Sequence, residues 1–371
     1  MEAVILKDIT VKELLEMENV VPVDVRSPGE FEEASIPGAV NIPLFSNEER
    51  KEVGTLYKQE GTEVAKWRAM EIVSPKLAHI LGTIKEIKEE KKQPVLYCWR
   101  GGNRSASVAT FLDFAGIDSI RISGGYRAYR QYIIEQIPAL IPGQALVLHG
   151  MTGTGKTEIL VELERKGYPV LDLERYAAHR GSLFGTVGFA VDGNNQKVFD
   201  SLLFDSLRKL QGSSYFIVEA ESKRIGKAGQ PDELYEKKIH GLNIYLRASI
   251  ATRVMRIYEE YVRPNENEQW FHDTILEKVD LLQRRIKNEE IYNNLLENTR
   301  KQQYKEVIRL LLEFYYDPRY QFKQHEYKNE FTEIQADDLG AAIVEIEKYI
   351  EQNIPQNEKN RTGQVNSLSS F

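Results

Sequence analysis

One motif constrains the fold of this chain more than any other, and it reads Gly150-Met151-Thr152-Gly153-Thr154-Gly155-Lys156-Thr157. The apolar residues 145–149 before it predict a buried strand, and residues 158–166 after it predict a helix. A glycine-rich turn in that context points backbone amides inward, where they bind phosphates. The lysine binds a terminal phosphate, and the last hydroxyl is a ligand for Mg²⁺. We therefore predict an α/β domain whose diphosphate-binding residues are Gly150, Gly153, Thr154, Gly155, Lys156 and Thr157.

The only cysteine, Cys98, lies in a second glycine-rich loop. Residues 95–97 predict a short buried strand before it, and a helix is predicted from Ser105 onward. Inward amides, two arginines and a helix N-terminus all favour a thiolate and bind anions. We predict that Cys98 is a nucleophile; the alternative is an inert, buried structural cysteine. The predicted anion loop consists of Trp99, Arg100, Gly101, Gly102, Asn103, Arg104 and Ser105.

Composition narrows the class of protein. The 371 residues allow two domains, and a hydrophobic content of 42% is enough for their cores. A net charge of −7 excludes a globally basic nucleic-acid-binding protein, so any RNA site must be a local basic patch. A single cysteine excludes an intrachain disulfide. No signal peptide or membrane-length apolar run is evident, so we expect a cytoplasmic protein with no membrane partner.

Residues 1–137 alternate strand and helix patterns, which predicts a parallel sheet with helices on both faces. Four of its motifs together resemble a rhodanese domain. They are Asp24-Val25-Arg26-Ser27-Pro28-x-Glu30-Phe31, Ile36-Pro37-Gly38-Ala39-Val40-Asn41-Ile42-Pro43, the Cys98 loop and Ser123-Gly124-Gly125. The resemblance implies that Asp24 and Arg26 brace the sheet and the loop.

The Cys98 loop departs from that of common single-domain sulfurtransferases by one residue. Five residues separate Cys98 from Arg104, a spacing that resembles the rhodanese-related phosphatase loop around a tetrahedral oxyanion. A wider loop has room for a phosphate-sized group, and it predicts a phosphorus-bearing donor. The alternative is that Trp99 is an insertion that packs outside the loop.

Polar residues follow the predicted strands of the second domain, where ligands bind in open α/β sheets. Candidate substrate or metal-binding residues are Asp172, Glu174, His179, Arg180, Glu219 and Glu221. Glu219 stands where P-loop NTPases often keep a metal-associated acid, whereas Glu174 could equally be a helix N-terminal charge and His179 a structural histidine. Lys223, Arg224 and Lys227 form a basic cluster that either contacts substrate phosphates or is a solvated surface.

Proline and glycine at positions 138, 142 and 143 mark a domain boundary, and the chain from residue 248 is predicted to be mostly helical. An aromatic, basic turn at residues 315–320 is either a base-stacking site or a packing corner. We predict a rhodanese-like domain at residues 1–137, a P-loop NTPase-like α/β core at 143–247, a helical C-terminal extension at 248–353 and a disordered tail at 354–371.

Further motifs narrow the resemblance to the tRNA 2-selenouridine synthase family, over about residues 20–320. They include Asp172-Leu173-Glu174, His179-Arg180-Gly181-Ser182, Glu219-x-Glu221-Ser222 and Asp317-Pro318-Arg319-Tyr320. The resemblance implies S-geranylation of the wobble 2-thiouridine in tRNAs for Lys, Glu and Gln by geranyl diphosphate. Selenium from selenophosphate then replaces the geranylthio group. Mg²⁺ and a selenophosphate-supplying enzyme are further candidates for cofactor and partner.

The resemblance also implies that Cys98 carries selenium as an S-selanylcysteine intermediate. Since there is no second cysteine, selenium on Cys98 must leave to the substrate or to an external reductant. Candidate tRNA-binding residues are Lys223, Arg224 and Lys227, followed by Arg127 and Arg130. Two other functions also fit the sequence: a fused phosphatase–kinase for a small molecule, and a non-catalytic sulfur-relay or nucleotide-sensing adaptor.

Overall fold

The computed structural model describes residues 6–179, 193–320 and 327–355. The chain divides into two compact units, and the boundary lies between Ile137 and Pro138. The short segment Asp200–Leu202 groups with the first unit.

The first unit is built on one parallel sheet of five strands in the order β1-β5-β4-β2-β3. The strand residues Val23 and Leu96 and the helix residue Val108 are fully buried and belong to one core between the sheet and its helices. The strands are β1 (Lys7–Ile9), β2 (Val20–Asp24), β3 (Val40–Asn41), β4 (Gln93–Tyr97) and β5 (Ile120–Ile122).

Seven helices belong to the described part of this unit. They are α1 (Val11–Glu16), α2 (Pro28–Glu33), α3 (Asn47–Gln59), α4 (Thr62–Val73), α5 (Leu77–Glu89, after a 3-10 turn at Ser74–Lys76), α6 (Asn103–Phe114) and α7 (Gly125–Leu140). Helix α6 begins two residues before the predicted start at Ser105, and α7 takes in the second half of the turn predicted at residues 123–126. Helices α3 and α4 were not predicted.

The second unit contains a second parallel sheet of five strands, in the order β12-β11-β6-β8-β7, and a separate two-stranded antiparallel hairpin. Its central strand β6 is buried along almost its whole length. The strands are β6 (Gln144–Gly150), β7 (Val170–Leu171), β8 (Tyr215–Glu219), β9 (Arg224–Ile225), β10 (Ala228–Gly229), β11 (Leu242–Arg247) and β12 (Phe331–Gln335).

The helices of this unit cover the sheet and then form a helical layer of their own. They are α8 (Lys156–Arg165), α9 (Leu173–Ala177), α10 (Gln196–Lys209), α11 (Asp232–Ile239), α12 (Ile250–Ile257), α13 (Gln269–Asp280), α14 (Glu289–Arg300), α15 (Tyr304–Leu311), α16 (Asp317–Tyr320) and α17 (Leu339–Asn353). Single π-helical turns at Tyr258–Val262 and Leu312–Tyr316 extend α12 and α15. Two parallel α/β units and a helical C-terminal part confirm the predicted fold class.

Three details differ from the sequence prediction. Pro138 lies inside helix α7 instead of ending it. The C-terminal part is not only helical, because β12 returns to pair with β11 and α17 packs on the P-loop sheet. Ile354, assigned to a disordered tail, is 3% exposed and belongs to that core because it continues the apolar face of α17. Residues 356–371 lie outside the described residues.

The aromatic turn at residues 315–320 is a packing corner at its start. Tyr315 and Tyr316 are each 9% exposed and join the core of the helical layer, and the hydroxyl of Tyr315 accepts a hydrogen bond from Arg285. Such burial leaves these two rings no free face for a base. Among the helices that the structure describes, none is long and apolar enough to cross a bilayer.

Helix α17 gives a direct test of this arrangement. Ile346 is fully buried, whereas Val344 on the same helix is 46% exposed. We expect Ile346→Ala to lower the free energy of unfolding by about 2–4 kcal/mol, because it leaves a cavity in a packed core. Val344→Ala is the matched control and should change it by less than about 0.5 kcal/mol in the same urea titration. Equal effects of the two variants would show that α17 is not part of the core.

Candidate functional site

The Cys98 loop follows the central strand β4 of the first unit and leads into helix α6. The order in which the strands are added to the sheet changes direction beside β4. Strands β5 and β1 lie on one side of it, and β2 and β3 lie on the other. In open parallel sheets, ligands bind in the crevice that such a reversal leaves at the carboxyl ends of the strands. Cys98 therefore lies at the position where this fold binds its ligands.

The thiol of Cys98 is held inside the loop. Its Sγ lies 3.4 Å from the hydroxyl oxygen of Ser105 and 3.9 Å from the carbonyl oxygen of Gly102. Ser105 is fully buried, and its hydroxyl also lies 3.3 Å from the Gly102 carbonyl. A buried hydroxyl beside sulfur is a hydrogen-bond partner for the thiol or the thiolate. The first turn of α6 thus contacts the sulfur directly.

Two glycines permit the close approach that shapes this loop. Gly125 has φ +60°, and a Cβ on it would collide with the carbonyl oxygen of Cys98 and lie 2.5 Å from the amide nitrogen of Gly101. Gly101 has φ +65°, and a Cβ there would lie 2.8 Å from the amide nitrogen of Gly124. Only glycine fits both the backbone angle and the space. The Ser123-Gly124-Gly125 motif is therefore part of the Cys98 site.

A buried ion pair supports the loop from below, as predicted for Asp24 and Arg26. The guanidinium of Arg26 donates to the Asp24 carboxylate at 2.5–2.9 Å and to the carbonyl oxygen of Ala34 at 2.7 Å. It also lies 4.3 Å from the ring centre of Tyr126, on which the ring of Trp99 packs with 5.8 Å between centroids. Trp99 thus packs against Tyr126, and the wider loop that its extra residue predicts stays a prediction.

Arg104 and Arg100 differ in their surroundings. The guanidinium of Arg104 donates to the Glu30 carboxylate at 2.5 and 3.1 Å, which fixes the side chain against helix α2. Burial alone would raise the pKa of Glu30, but the hydrogen bonds and charge of Arg104 lower it overall. Arg100 is exposed. Arg104 therefore holds the loop in place, and Arg100 is the cation with access to a solvent-borne anion.

The two candidate tRNA-binding arginines on α7 also differ. Arg127 is exposed, and its backbone amide donates to the carbonyl oxygen of Trp99 at 2.9 Å. The side chain of Arg130 is only 14% exposed and forms an ion pair with Asp200, a residue of the same compact unit. Arg127 is thus the better placed of the two for an external phosphate.

The predicted phosphate-binding loop of the second unit joins β6 to α8, which begins at Lys156. Gly153 and Gly155 have φ +82° and +90°, values that L side chains rarely adopt. The ammonium of Lys156 donates to the carbonyl oxygens of Gly150 and Met151 at 3.0 and 3.3 Å, so it lies across the loop. Loop amides, a helix N-terminus and this lysine are the groups that bind anions in such loops, so the predicted diphosphate site fits this geometry.

Three carboxylates gather beside this loop. Oxygens of Glu174, Glu219 and Glu221 lie within 4.8 Å of one another. Thr157 donates its hydroxyl to Glu219 at 3.2 Å. Burial raises the pKa of Glu219 to about 7, and the charges of Glu221 and Asp172 add to this while Lys156 opposes it. Hard oxygen donors of this kind, next to a phosphate loop, fit Mg²⁺.

The other candidates from this region have different surroundings. Asp172 caps helix α9, because its carboxylate accepts the backbone amide of Arg175 at 2.9 Å. His179 is half-buried, and its ring packs against Gly226. Arg180 lies outside the described residues. Asp172 therefore acts first as a helix cap, whereas Glu174, Glu219 and Glu221 form the cluster.

The predicted basic cluster lies on and beside the β9–β10 hairpin, a few residues after Glu221. Lys223, Arg224 and Lys227 are all exposed. Lys223 forms an ion pair with Asp232, and Arg224 donates to the carbonyl oxygen of Gly226 at 3.3 Å. The positive charge of the cluster is thus reduced by a neighbouring carboxylate.

Two arginines that were not predicted anchor the phosphate loop. Arg253 on α12 is 4% exposed and donates to the carbonyl oxygen of Thr152 at 2.8 Å and to Asp317 at 2.6 and 2.9 Å. Arg256 donates to the carbonyl oxygen of Thr154 at 3.0 Å. The motif that begins at Asp317 resembles one of the family, but the sequence alone does not identify Arg253, 64 residues earlier, as its partner.

Comparison with known proteins gives two family matches. Residues 143–353 match the family model described as tRNA 2-selenouridine synthase AAA domain, and residues 9–132 match that of the rhodanese-like domain. A relative named tRNA 2-selenouridine synthase from Pseudomonas putida is 33% identical over 369 residues, which cover 90% of this chain and 94% of the relative. Relatives of the same name from Nitrosomonas europaea and Bdellovibrio bacteriovorus are 38% and 36% identical, over 65% and 66% of this chain. The chain spans only 63% and 65% of the length of these two.

The raised pKa of Glu219 predicts a pH-dependent stability. A carboxyl whose pKa rises from 4.5 to about 7 on folding stabilises the protein below pH 4.5, and this contribution is lost as the pH rises through 7. Glu219→Gln has no ionisable group at this position, so its stability does not fall with the ionisation of residue 219. We expect the variant to gain stability relative to wild type between pH 5 and pH 8, by on the order of 2 kcal/mol.

Urea unfolding of both proteins at pH 5 and pH 8, in the presence of EDTA, measures this difference. Glu351→Gln, at an exposed carboxylate on α17, is the matched control and should show no pH-dependent gain. If the difference between wild type and Glu219→Gln were the same at both pH values, Glu219 would not have a raised pKa.

Proposed function

The chain belongs to the tRNA 2-selenouridine synthase family, and on that premise we propose that it converts 2-thiouridine in tRNA to 2-selenouridine in two chemical steps. The observation that carries the proposal is the pair of anion-binding loops. One holds the only thiol of the chain at the end of β4, and the other holds Lys156 at the start of α8. We propose the wobble uridine of tRNAs for Lys, Glu and Gln as the target, and the cytoplasm as the location.

The first step is S-geranylation from geranyl diphosphate at the loop between β6 and α8. The bond between the prenyl carbon and the diphosphate oxygen breaks, and the thiocarbonyl sulfur of the base forms a new bond to that carbon. The electron pair leaves with diphosphate, whose growing charge the loop amides and Lys156 stabilise. Mg²⁺, held by Glu174, Glu219 and Glu221, would supply further positive charge to the departing diphosphate.

The second step is selenium transfer at the Cys98 loop from selenophosphate, delivered by a selenophosphate-supplying enzyme. Alkylation makes the C2 atom of the base more electrophilic and turns sulfur into a leaving group. The C2–S bond breaks, a C2–Se bond forms, and sulfur leaves as a thiol after taking up a proton. Cys98 is the proposed nucleophile, and Arg100 binds the anionic donor. The Cys98 thiolate attacks phosphorus, a P–S bond forms and the P–Se bond breaks, so selenium leaves as selenide and attacks C2 without a change of oxidation state. Water then cleaves the P–S bond, which restores the thiol and leaves phosphorus as phosphate. The S-selanylcysteine that the family resemblance implies would need a two-electron oxidant to form from selenide, so this route does not pass through it.

Binding of tRNA should depend on salt although the whole chain is acidic, since local cations contact the phosphates. We propose Lys223, Arg224 and Lys227 as one contact region and Arg127 as another. These residues are exposed, which such contacts require.

Cys98→Ala tests the second step. We expect this variant to accumulate S-geranyl-2-thiouridine and to form no 2-selenouridine, because geranylation needs no protein thiol. Mass analysis of tRNA nucleosides after incubation with both co-substrates measures this. Cys98→Ser controls for loss of loop packing and should show the same block. Selenation at the wild-type rate by Cys98→Ala would refute the nucleophilic role, and Cys98-dependent turnover of a phosphate monoester would favour a phosphatase instead.

Lys156→Ala tests the first step. We expect geranylation to fall by at least about 100-fold, because the cation that stabilises the departing diphosphate is lost. Selenation of tRNA that already carries the geranyl group should persist. Lys166→Ala, at the opposite end of α8, is the matched control and should geranylate normally. Equal loss of both steps in Lys156→Ala would contradict a role confined to the first step.

A further inference from the structure

A large cavity opens beside the Cys98 loop, entirely within the first unit. Its volume is about 1200 Å³, and Cys98 and Trp99 contribute to its wall. Helices α3 and α4 form one side and α6 forms the other. Small-molecule sites commonly have volumes of about 300–1,000 Å³, so this space far exceeds what selenophosphate alone needs.

The interior of the cavity is largely apolar. Leu44, Phe45 and Phe111 contribute to its lining, together with Ala69 and Met70 from α4. Ala69 is small and half-buried, and Met70 is 49% exposed although it is a large apolar side chain. Apolar side chains such as these do not contribute to anion binding, since anions are bound by backbone amides and cations. The apolar wall therefore indicates that part of the ligand is a hydrocarbon.

The charged side chains of the cavity are all of one sign. They are Arg50, Lys51, Lys58, Lys66, Arg100 and Arg104. Arg50 and Arg104 also form ion pairs with Glu30, which is not part of the cavity wall. No aspartate or glutamate occurs among the described residues that line it, although the chain has a net charge of −7. Cations around an apolar interior fit an amphipathic ligand that combines a hydrocarbon chain with a polyanion.

We propose that this cavity receives the extended hydrocarbon chain that the sulfur of the reacting RNA base carries, while its cations contact the phosphates of the same RNA. The proposal rests on the two-step function above and assigns a site to its intermediate. With the hydrocarbon chain of the base in the cavity, the thioether sulfur and C2 of the base lie at the Cys98 loop. When the C2–S bond breaks, the hydrocarbon chain leaves together with the sulfur atom as a thiol.

Burial of the hydrocarbon chain should make selenium transfer selective for the length of the alkyl group on sulfur. Each buried CH₂ group improves binding by about 0.8 kcal/mol, or roughly fourfold. We therefore expect kcat/KM for selenation to rise from S-methyl to S-prenyl to S-geranyl 2-thiouridine in otherwise identical anticodon stem-loops. The S-geranyl substrate should exceed the S-methyl substrate by at least about tenfold.

A cavity-filling variant tests the site itself. Ala69→Trp should lower kcat/KM for the S-geranyl stem-loop by at least about tenfold and leave the S-methyl stem-loop within about twofold. Thr110→Trp fills the cavity from α6 on the opposite side and should have the same effect. Val64→Trp adds the same side chain to α4 at a residue that is 43% exposed and not part of the cavity wall, and it should change neither substrate.

Equilibrium binding of the same stem-loops, measured by fluorescence anisotropy, provides a readout without turnover. Wild type should bind the S-geranyl form more tightly than the S-methyl form, and both filled variants should lose that preference. Equal binding and equal turnover of the three substrates by wild type would overturn the cavity assignment and leave the proposed function intact. Preferential binding of the S-geranyl form without any selenation would instead overturn the proposed function and support the cavity.

Discussion

Both candidate sites depend on one constraint: each is a loop where a parallel strand ends and a helix begins, the place where backbone amides can bind an anion. Backbone amides at such a junction have no partner inside the helix and point toward the same space. The loop after β4 and the loop after β6 both use this arrangement. Glycine is required in each, because Gly101 and Gly153 adopt positive φ angles next to other backbone atoms. Side chains then determine what each loop does with its anion.

Buried arginines hold both loops in shape from behind. Arg26 joins the Asp24 carboxylate to the ring of Tyr126 beneath the Cys98 loop, and Arg253 joins Asp317 to the carbonyl oxygen of Thr152. A guanidinium has several donors in a fixed plane, so it can connect a carboxylate and a carbonyl at the same time. A buried arginine is stable only when these partners are present. The loops and their supports therefore have to form together.

The surroundings of the two loops differ in charge, and this difference fits two kinds of chemistry. The cavity beside Cys98 has six cationic residues in its wall and an apolar interior. The loop that contains Lys156 instead faces a cluster of three carboxylates, one of which is almost completely buried. Carboxylates suit a divalent cation and a diphosphate, whereas an apolar, cationic cavity suits an alkylated base within an RNA. Each local environment thus agrees with one of the two proposed steps.

Sequence alone determined the features that depend on neighbouring residues in the chain. The fold class and the two glycine-rich loops follow from local patterns, since strand, turn and helix signals lie within short stretches, and the bracing role of Asp24 and Arg26 was implied by the resemblance to a rhodanese domain. Helices α3 and α4 escaped prediction because they bury little: α3 has no fully buried residue, and α4 has only Ala65 and Val73. Only the tertiary structure could join Arg253 to Asp317 and form the cavity beside Cys98. These features combine residues distant in sequence, and their contacts exist only after the strands and helices have packed.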